Sequence, residues 1–299
     1  MKRVFDFIFL MRPTLWVPVW TFFLLGFHRS GGEVSLLYFT TAFILYTILM
    51  SGVYVLNQII DIESDRVNKK LFLLSDGHIK IAYAWIEFAI LFILAWLLAI
   101  PYSNQFKLIL LFSMILGILY SAPPFKFKGR PILDLLSNAI GYGVFAFSLG
   151  WVTGVPFSRF TLIYSLPYFF AVGAVFINTT IPDIKGDKQA NEITTGLFLG
   201  EKTSYWLSTA FIIIAFGLSV CLNDRICRIA SAWAMPLFLW AAIRQNLKTC
   251  LISIRVGAPI LAILMGLIFW WFIPLLLIIF IAQRIYYKLR FNIIYPKII

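Results

Sequence analysis

The chain has 299 residues, of which 61% are hydrophobic and only 13% are charged, and its mean hydropathy is +0.91. Soluble proteins carry about a quarter charged residues, so this composition excludes a soluble globular protein and indicates one polytopic membrane domain over residues 1–299. In a membrane protein, a formal charge of +12 indicates the orientation of the spans and contact with anionic lipid. We therefore expect membrane lipid as a partner and no nucleic acid.

Apolar segments recur along the whole chain at the length of about 20 residues that a helix needs to span a bilayer. Eight of them lie at residues 13–28, 36–56, 79–100, 106–121, 132–153, 160–182, 203–222 and 228–244. The tail from Val256 to Tyr287 is too long for one ordinary span and short for two. Pro274 in its middle would kink one helix or turn a hairpin, so the tail leaves nine or ten spans open.

Positive charges predict the orientation of these spans, because cytoplasmic loops are enriched in lysine and arginine. With the N-terminus in the cytoplasm, most lysines and arginines fall on the inner side of the membrane. The basic residues of the tail join this excess only if the chain has ten spans; they are Arg284, Lys288, Arg290 and Lys297. The same layout places the loops after the second, fourth and sixth spans in the cytoplasm.

A polar stripe ends the second span. Asn57, Asp61 and Asp65 follow one another at intervals of four residues, so on a continuous helix they lie along one face. Carboxylates this close to a membrane segment are costly unless something pairs them. The stripe therefore indicates a functional site at the cytoplasmic end of this span.

A second pair of aspartates follows the sixth span. Asp183 and Asp187 are again four residues apart, and the predicted topology places both pairs at the same membrane face. An isolated pair of aspartates with this spacing more often lies in a solvated loop or caps a helix. Two such pairs at the ends of two spans favour a shared binding site. Because Mg²⁺ binds a few carboxylates together with substrate phosphate oxygens, we expect Mg²⁺ and a diphosphate there.

The loop after the fourth span adds positive charge at that face. It contains Tyr120, Lys126 and Lys128, and two prolines stiffen it. Cations placed beside a departing diphosphate stabilise the charge that develops on it, so we expect these side chains to bind its oxygens.

Inside the spans, we expect Glu87 to face the bundle interior. Asp134 and Asn138 share a helix face and are predicted to make polar contacts between helices.

These stretches together resemble the signatures of the UbiA superfamily of intramembrane aromatic prenyltransferases. The signature N-x-x-x-D-x-x-x-D matches residues 57–65, and its continuation resembles residues 68–77, which include Lys69. The loop signature Y-S-x-P-P-x-R/K is similar to residues 120–126, and D-I-P-D-I-E-G-D resembles residues 180–187.

The resemblance implies an all-α bundle, usually of nine spans, around a central cavity. It implies that Mg²⁺ binds a prenyl diphosphate donor, and that the prenyl group passes to a hydrophobic or aromatic acceptor. On this basis we expect nine spans. The residues expected to be catalytic and to bind the metal are Asp61, Asp65, Asp183 and Asp187, and those expected to bind the substrate are Asn57, Tyr120, Lys126, Lys128 and Lys69.

The chain also departs from the family pattern. Phe72 stands where the family usually has an arginine for the diphosphate, Thr180 where an extra aspartate is common, and Lys185 where an acid is usual. These differences keep open a second function, a non-catalytic membrane protein that binds isoprenoid or quinone-like lipids. A CDP-alcohol phosphotransferase would need a D-x-x-D-G-x-x-A-R run, which the sequence lacks.

Overall fold

The structure, a computed structural model, describes residues 2–68, 72–189 and 193–295. Helices joined by short loops make up these residues, and none of them forms a strand. Large apolar side chains are exposed on the outside of the bundle, for example Trp270 at 79% and Leu36 at 77%, as expected for a surface that contacts lipid. The predicted all-α membrane bundle is thereby confirmed.

The helices in chain order are α1 (Lys2–Leu10), α2 (Trp16–Ser30), α3 (Leu36–Ile60), α4 (Ile62–Asn68), α5 (Phe72–Ser75), α6 (Ile81–Ala99), α7 (Asn104–Ser121), α8 (Leu133–Asn138), α9 (Phe147–Gly154), α10 (Arg159–Thr180), α11 (Ile184–Gln189), α12 (Thr195–Leu199), α13 (Glu201–Cys221), α14 (Arg225–Arg244), α15 (Leu247–Ile252), α16 (Ile260–Ile268) and α17 (Phe272–Phe291). A π-helical segment, Ala139–Ala146, joins α8 to α9, and a shorter one, Ser253–Gly257, lies between α15 and α16. Short 3₁₀ turns lie at Pro13–Leu15 and Phe127–Gly129.

Ten helical stretches of the described residues are long and apolar enough to cross a membrane. They are α1 with α2, α3, α6, α7, α8 with α9, α10, α13, α14, α15 with α16, and α17. The expected number of nine is corrected to ten, and the difference lies in the tail. Helix α16 ends before Phe269, and α17 begins at Phe272. Across this turn Gly266 packs closely on Ile273, so that a Cβ atom added to Gly266 would lie 2.3 Å from the Ile273 side chain. Pro274 falls in the first turn of α17, where a missing N–H breaks no helical hydrogen bond.

The last helix returns to the first. Asp6 of α1 accepts hydrogen bonds from the Tyr286 hydroxyl at 2.6 Å and from Arg290 Nη2 at 3.1 Å. The Phe9 ring stacks on Tyr286 with centroids 3.6 Å apart. The C-terminal end of α17 therefore lies at the same face of the bundle as α1, which requires an even number of crossings.

Glycines allow α2 and α9 to pack with their backbones in contact. A Cβ atom on Gly150 would lie 1.8 Å from the carbonyl oxygen of Phe23, and one on Gly26 would lie 1.8 Å from that of Phe147. Small residues at such crossings are typical of membrane helices, whose association depends on close packing. Both helices are buried along this contact, from Val19 to Gly26 in α2 and from Phe147 to Thr153 in α9.

We expect Gly150→Ala to destabilise the protein by about 1–3 kcal/mol, because backbone on both sides must move to admit the methyl group. The fall would be measured as a lower melting temperature in detergent. Gly217→Ala in α13 is the matched control, since a Cβ atom there would meet nothing within 4 Å. Equal melting temperatures for the two variants would contradict this account of the α2–α9 contact.

Candidate active site

A cavity of about 390 Å³ collects most of the residues singled out in the sequence. It runs along α3 and α7 and is bounded by α8 and the π-helical segment. Its polar lining residues are Arg12, Asn57, Asp61, Asp65, Ser113, Tyr120, Ser121, Lys128, Ser137, Asn138 and Asp187. Its less polar lining includes Tyr46, Met50, Val53, Tyr54 and Tyr142. Residues from three loops that are distant in the sequence thus meet at the ends of the membrane helices.

The first aspartate stripe has the geometry that its spacing predicts. Although α3 ends at Ile60, the helical hydrogen-bond pattern continues, from Asp61 N to Asn57 O at 3.0 Å and from Asp65 N to Asp61 O at 2.7 Å. The three side chains therefore lie on one wall of the cavity. Asn57 also donates through Nδ2 to the Ser121 hydroxyl at 3.2 Å, which fixes the end of α3 against the end of α7.

Lys128 connects the lysine-containing loop to this stripe. Its ammonium forms an ion pair with Asp61, and the two side chains are only 11% and 13% exposed. The preceding Lys126 has a left-handed backbone with φ of 42°, which turns the chain into the 3₁₀ turn that carries Lys128. Lys126 is not among the described residues that line the cavity. The structure therefore separates two lysines that the sequence treats alike.

The second aspartate loop contributes Asp187. The Thr194 hydroxyl donates to Asp187 Oδ2 at 2.7 Å, and Thr194 is also the N-cap residue of α12. Asp183 lies one turn before Asp187, with Asp187 N bonded to Asp183 O at 2.9 Å, but it is exposed and is not among the described lining residues. In this structure Asp187 reaches the cavity more directly than Asp183.

Asp134 anchors the loop that holds Asp187. It is 1% exposed, and its carboxylate accepts hydrogen bonds from the Thr195 hydroxyl and from Thr195 N at 2.8 Å. Thr195 follows directly on Thr194, so the predicted polar contact between helices is present and joins α8 to α12. Asn138, predicted to share that role, also lines the cavity.

We expect Asp134→Asn to destabilise the protein by about 1–3 kcal/mol, because an amide NH₂ would face a donor and leave a buried group unsatisfied. Melting temperature in detergent measures the effect, and Asp76→Asn on the exposed surface is the control. A variant as stable as the Asp76→Asn protein would show that the contact with Thr195 is dispensable.

The sequence patterns did not identify several residues that line the cavity. Arg12 lines the cavity from a left-handed backbone position, φ 55°, just before the first 3₁₀ turn. Tyr54 Oη lies 3.0 Å from Tyr142 Oη and donates to the Leu15 carbonyl at 3.2 Å. Following the stripe backward along α3 at three- and four-residue steps would have reached residues 54, 53, 50 and 46, all of which line the cavity.

The other residues discussed in the sequence analysis lie outside the cavity lining or outside the described residues. Lys69 lies outside the described residues. Glu87 faces the bundle interior as expected, at 9% exposure. Thr180, where the family often has an aspartate, is buried and donates to Ile177 O at 2.8 Å. Gly196 packs on it so tightly that a Cβ atom would lie 2.3 Å from its hydroxyl oxygen. Position 180 is therefore part of the packing beneath the second aspartate loop.

The donor atoms of the cavity suit Mg²⁺. Among the described residues no group of three or more histidine, cysteine, aspartate or glutamate side chains forms a metal cluster by itself. Mg²⁺, however, is usually bound by one or two carboxylates completed by water and substrate phosphates, and seldom by an all-protein cage. Asp61, Asp65 and Asp187 on the wall of one cavity fit that mode of binding.

Comparison with known proteins gives one family. The chain matches the UbiA prenyltransferase family over residues 15–249. It is 27% identical to 2-acyl-4-prenylphloroglucinol 6-prenyltransferase of Humulus lupulus, over 58% of this chain and 44% of that protein. It is 29% identical to digeranylgeranylglyceryl phosphate synthase of Sulfurisphaera tokodaii, over 58% and 62%. The match thus spans about half the length of these two curated relatives.

A third relative and one solved structure are also similar to the chain. The chain is 28% identical to a lycopene elongase/hydratase of Haloarcula japonica, over 68% of this chain and 72% of that protein. Its fold is similar to that of a UbiA homologue from Archaeoglobus fulgidus bound to GPP and Mg²⁺, with a TM-score of 0.70 and 24% identity over 90% of this chain and 97% of that one.

Proposed function

The chain belongs to the UbiA prenyltransferase family, and from this premise we propose that it transfers a prenyl group from a prenyl diphosphate to a hydrophobic or aromatic acceptor within the membrane, with Mg²⁺ as its cofactor. The observation that carries the proposal is the single cavity lined by both aspartate loops and by Lys128. The fold neighbour that binds GPP and Mg²⁺ supports the donor and the metal.

The polar end of the cavity would bind the diphosphate. Asp61, Asp65 and Asp187 would hold Mg²⁺, with Asp183 close by and Asn57 orienting the first pair. Bound there, Mg²⁺ supplies Lewis-acid stabilisation of the leaving diphosphate. The Lys128 ammonium and the Tyr120 hydroxyl would donate to diphosphate oxygens, which stabilises the negative charge that develops there.

The less polar end of the cavity would receive the prenyl chain. The carbon–oxygen bond of the allylic diphosphate breaks, and its electron pair leaves with the diphosphate. The rings of Tyr46, Tyr54 and Tyr142 line this end and would shield the positive charge left on the prenyl group, because aromatic faces attract cations. A π-electron pair of the acceptor then forms the new bond, and the acceptor proton passes to the diphosphate.

We place this site at the cytoplasmic face. The positive residues of the site loops and of the tail favour that orientation. The ion pair of Asp6 with Arg290 brings the two described chain ends to one side of the bundle. A soluble, charged diphosphate would then reach the site from the cytoplasm, and the apolar product would leave into lipid.

The proposal is tested by diphosphate release from geranyl, farnesyl and geranylgeranyl diphosphate, using purified protein in detergent with a panel of aromatic and lipid acceptors. We expect release with Mg²⁺ and none after chelation, restored by returning the metal. Binding of a prenyl diphosphate without any Mg²⁺-dependent release would favour the second function, a non-catalytic isoprenoid-binding protein.

A further inference from the structure

Two successive residues at the start of α12 contact different parts of the candidate site. Thr194 donates its hydroxyl to Asp187 Oδ2 at 2.7 Å. Thr195, which is fully buried, donates its hydroxyl to Asp134 of α8. Thr195 is not among the described residues that line the cavity. Any part that it plays in the reaction is therefore exerted through the residues that it contacts.

The Thr195 hydroxyl has a second partner, at the end of the lysine-containing loop. It accepts a hydrogen bond from Ile132 N at 2.7 Å while it donates to Asp134 Oδ1. Thr195 thus holds the loop that carries Lys128, and the residue before it holds Asp187. Because these contacts belong to adjacent residues of one helix, the two loops cannot shift relative to each other without breaking one of them.

The backbone of Ile132 depends on this contact. Its φ of 69° and ψ of −41° lie in a region that β-branched residues avoid, because the side chain crowds the backbone there. The Ile132 side chain is 50% exposed, so side-chain packing does little to hold this conformation. Its two backbone polar groups are held instead, by Thr195 and by Leu136 N, which donates to Ile132 O at 2.8 Å. Backbone held in this way by its surroundings occurs often at functional sites.

The segment from Lys128 to Ile132 is short and internally bonded. Arg130 N donates to Phe127 O at 3.0 Å, and Asp134 N donates to Arg130 O at 3.1 Å. A displacement of Ile132 therefore also displaces Lys128, which lies four residues earlier and lines the cavity. The contact with Thr195 fixes the position of that ammonium group.

We propose that Thr195 is a positioning residue of the transferase site. Its hydroxyl holds the lysine-containing loop and the second aspartate loop in one register, so that Lys128 and Asp187 bind one magnesium diphosphate together. Without it, ligand binding must order the two loops separately, and that ordering lowers the affinity. This inference rests on the proposed function, which assigns the diphosphate to Lys128 and the metal to Asp187.

The first measurement is the affinity of the full chain in detergent for preformed magnesium pyrophosphate, by titration calorimetry. Thr195→Val removes the hydroxyl and keeps the size of the side chain. The bond from Thr195 N to Asp134 Oδ2 at 2.8 Å still anchors α12, whereas Ile132 N loses its partner. We expect the Kd to rise about tenfold. An unchanged Kd would overturn the inference.

Matched variants show whether the hydroxyl is responsible. Thr195→Ser keeps the hydroxyl and should bind within about twofold of the wild type. Thr153→Val in α9 removes another buried hydroxyl, whose bond to Leu149 O at 2.8 Å stays within its own helix, and should bind like the wild type. Thr195→Ser binding as weakly as Thr195→Val would contradict the role of the hydroxyl.

A second variant weakens the same junction if Thr195→Val does not fold. Asp134→Asn removes the charged acceptor of the Thr195 hydroxyl, and we expect the Kd for magnesium pyrophosphate to rise in this variant too. An unchanged Kd in folded Asp134→Asn protein would refute the positioning role.

A double variant separates positioning from simple support of the fold. If Thr195 acts by placing Lys128, Thr195→Val should weaken binding by less than about threefold in a Lys128→Gln background, since changes at coupled positions are not additive. The same tenfold loss in both backgrounds would show that Thr195 only supports the fold.

Diphosphate release from geranylgeranyl diphosphate, followed in the same samples, separates this inference from the proposed function. Wild-type protein without Mg²⁺-dependent release refutes the transferase, and the affinity of Thr195→Val still decides whether Thr195 positions a magnesium diphosphate site. Release by the wild type together with unchanged affinity in Thr195→Val leaves the transferase in place and refutes only the role of Thr195.

Discussion

Asp61→Asn is expected to reduce Mg²⁺-dependent diphosphate release by about 10²–10³-fold or more, an effect of the size seen when one charge-stabilising group is removed from an active site. Asp61 lies in the polar stripe on the cavity wall, one turn from both Asn57 and Asp65, and is paired with Lys128. Asparagine has nearly the same shape, so the end of α3 should keep its geometry. What is lost is the negative charge that would bind the metal.

The measurement is the initial rate of release as a function of Mg²⁺ concentration. Glu63→Gln is the matched control, because Glu63 lies between the two aspartates in the sequence, is 83% exposed, and pairs with Arg66 at 2.9 Å outside the cavity. We expect this control to retain its rate and its Mg²⁺ dependence. If Asp61→Asn behaves like the control, Asp61 is not a metal ligand.

Lys128→Gln should lower turnover by about 10²-fold, while the Mg²⁺ concentration needed for half-maximal rate stays the same or falls. The two effects have opposite signs because the ammonium has two partners. It would donate to the leaving diphosphate, and its loss slows ionisation. It also occupies the Asp61 carboxylate, so its removal leaves that carboxylate available to a divalent cation.

Rates at several Mg²⁺ concentrations distinguish this from general damage to the site, which would raise the metal requirement. Lys202→Gln, at an exposed position in the first turn of α13, controls for net charge. Lys126→Gln separates the two loop lysines, and we expect the smaller loss there because the cavity is lined by Lys128. A higher Mg²⁺ requirement in Lys128→Gln would contradict the proposed competition for Asp61.

The parts of the site that depend on local spacing along the chain could be predicted from the sequence. The spacing of Asn57, Asp61 and Asp65 is a local property, and the hydrogen bonds that continue past the end of α3 preserve it. Composition alone identifies the membrane bundle, because lipid requires long apolar helices.

The parts that depend on tertiary contacts could not be predicted. The turn at Phe269 interrupts the tail without any polar residue, since close packing of Gly266 on Ile273 decides it. The choice of Lys128 over Lys126 depends on one left-handed residue in a loop. Thr180 looks like a lost ligand in the sequence, but in the structure it packs beneath Gly196. Asn138 joins the cavity because α8 and the π-helical segment pack against α7.

The contact of Asp6 with Tyr286 and Arg290 has a consequence for the connectivity of the chain. Because these residues bring the two described ends together at one face, a short flexible linker between them would close the polypeptide into a ring. New termini could then be opened in an exposed loop elsewhere, as circular permutation requires. An odd number of crossings would forbid this, since the linker would have to traverse the bilayer with its backbone polar groups unsatisfied.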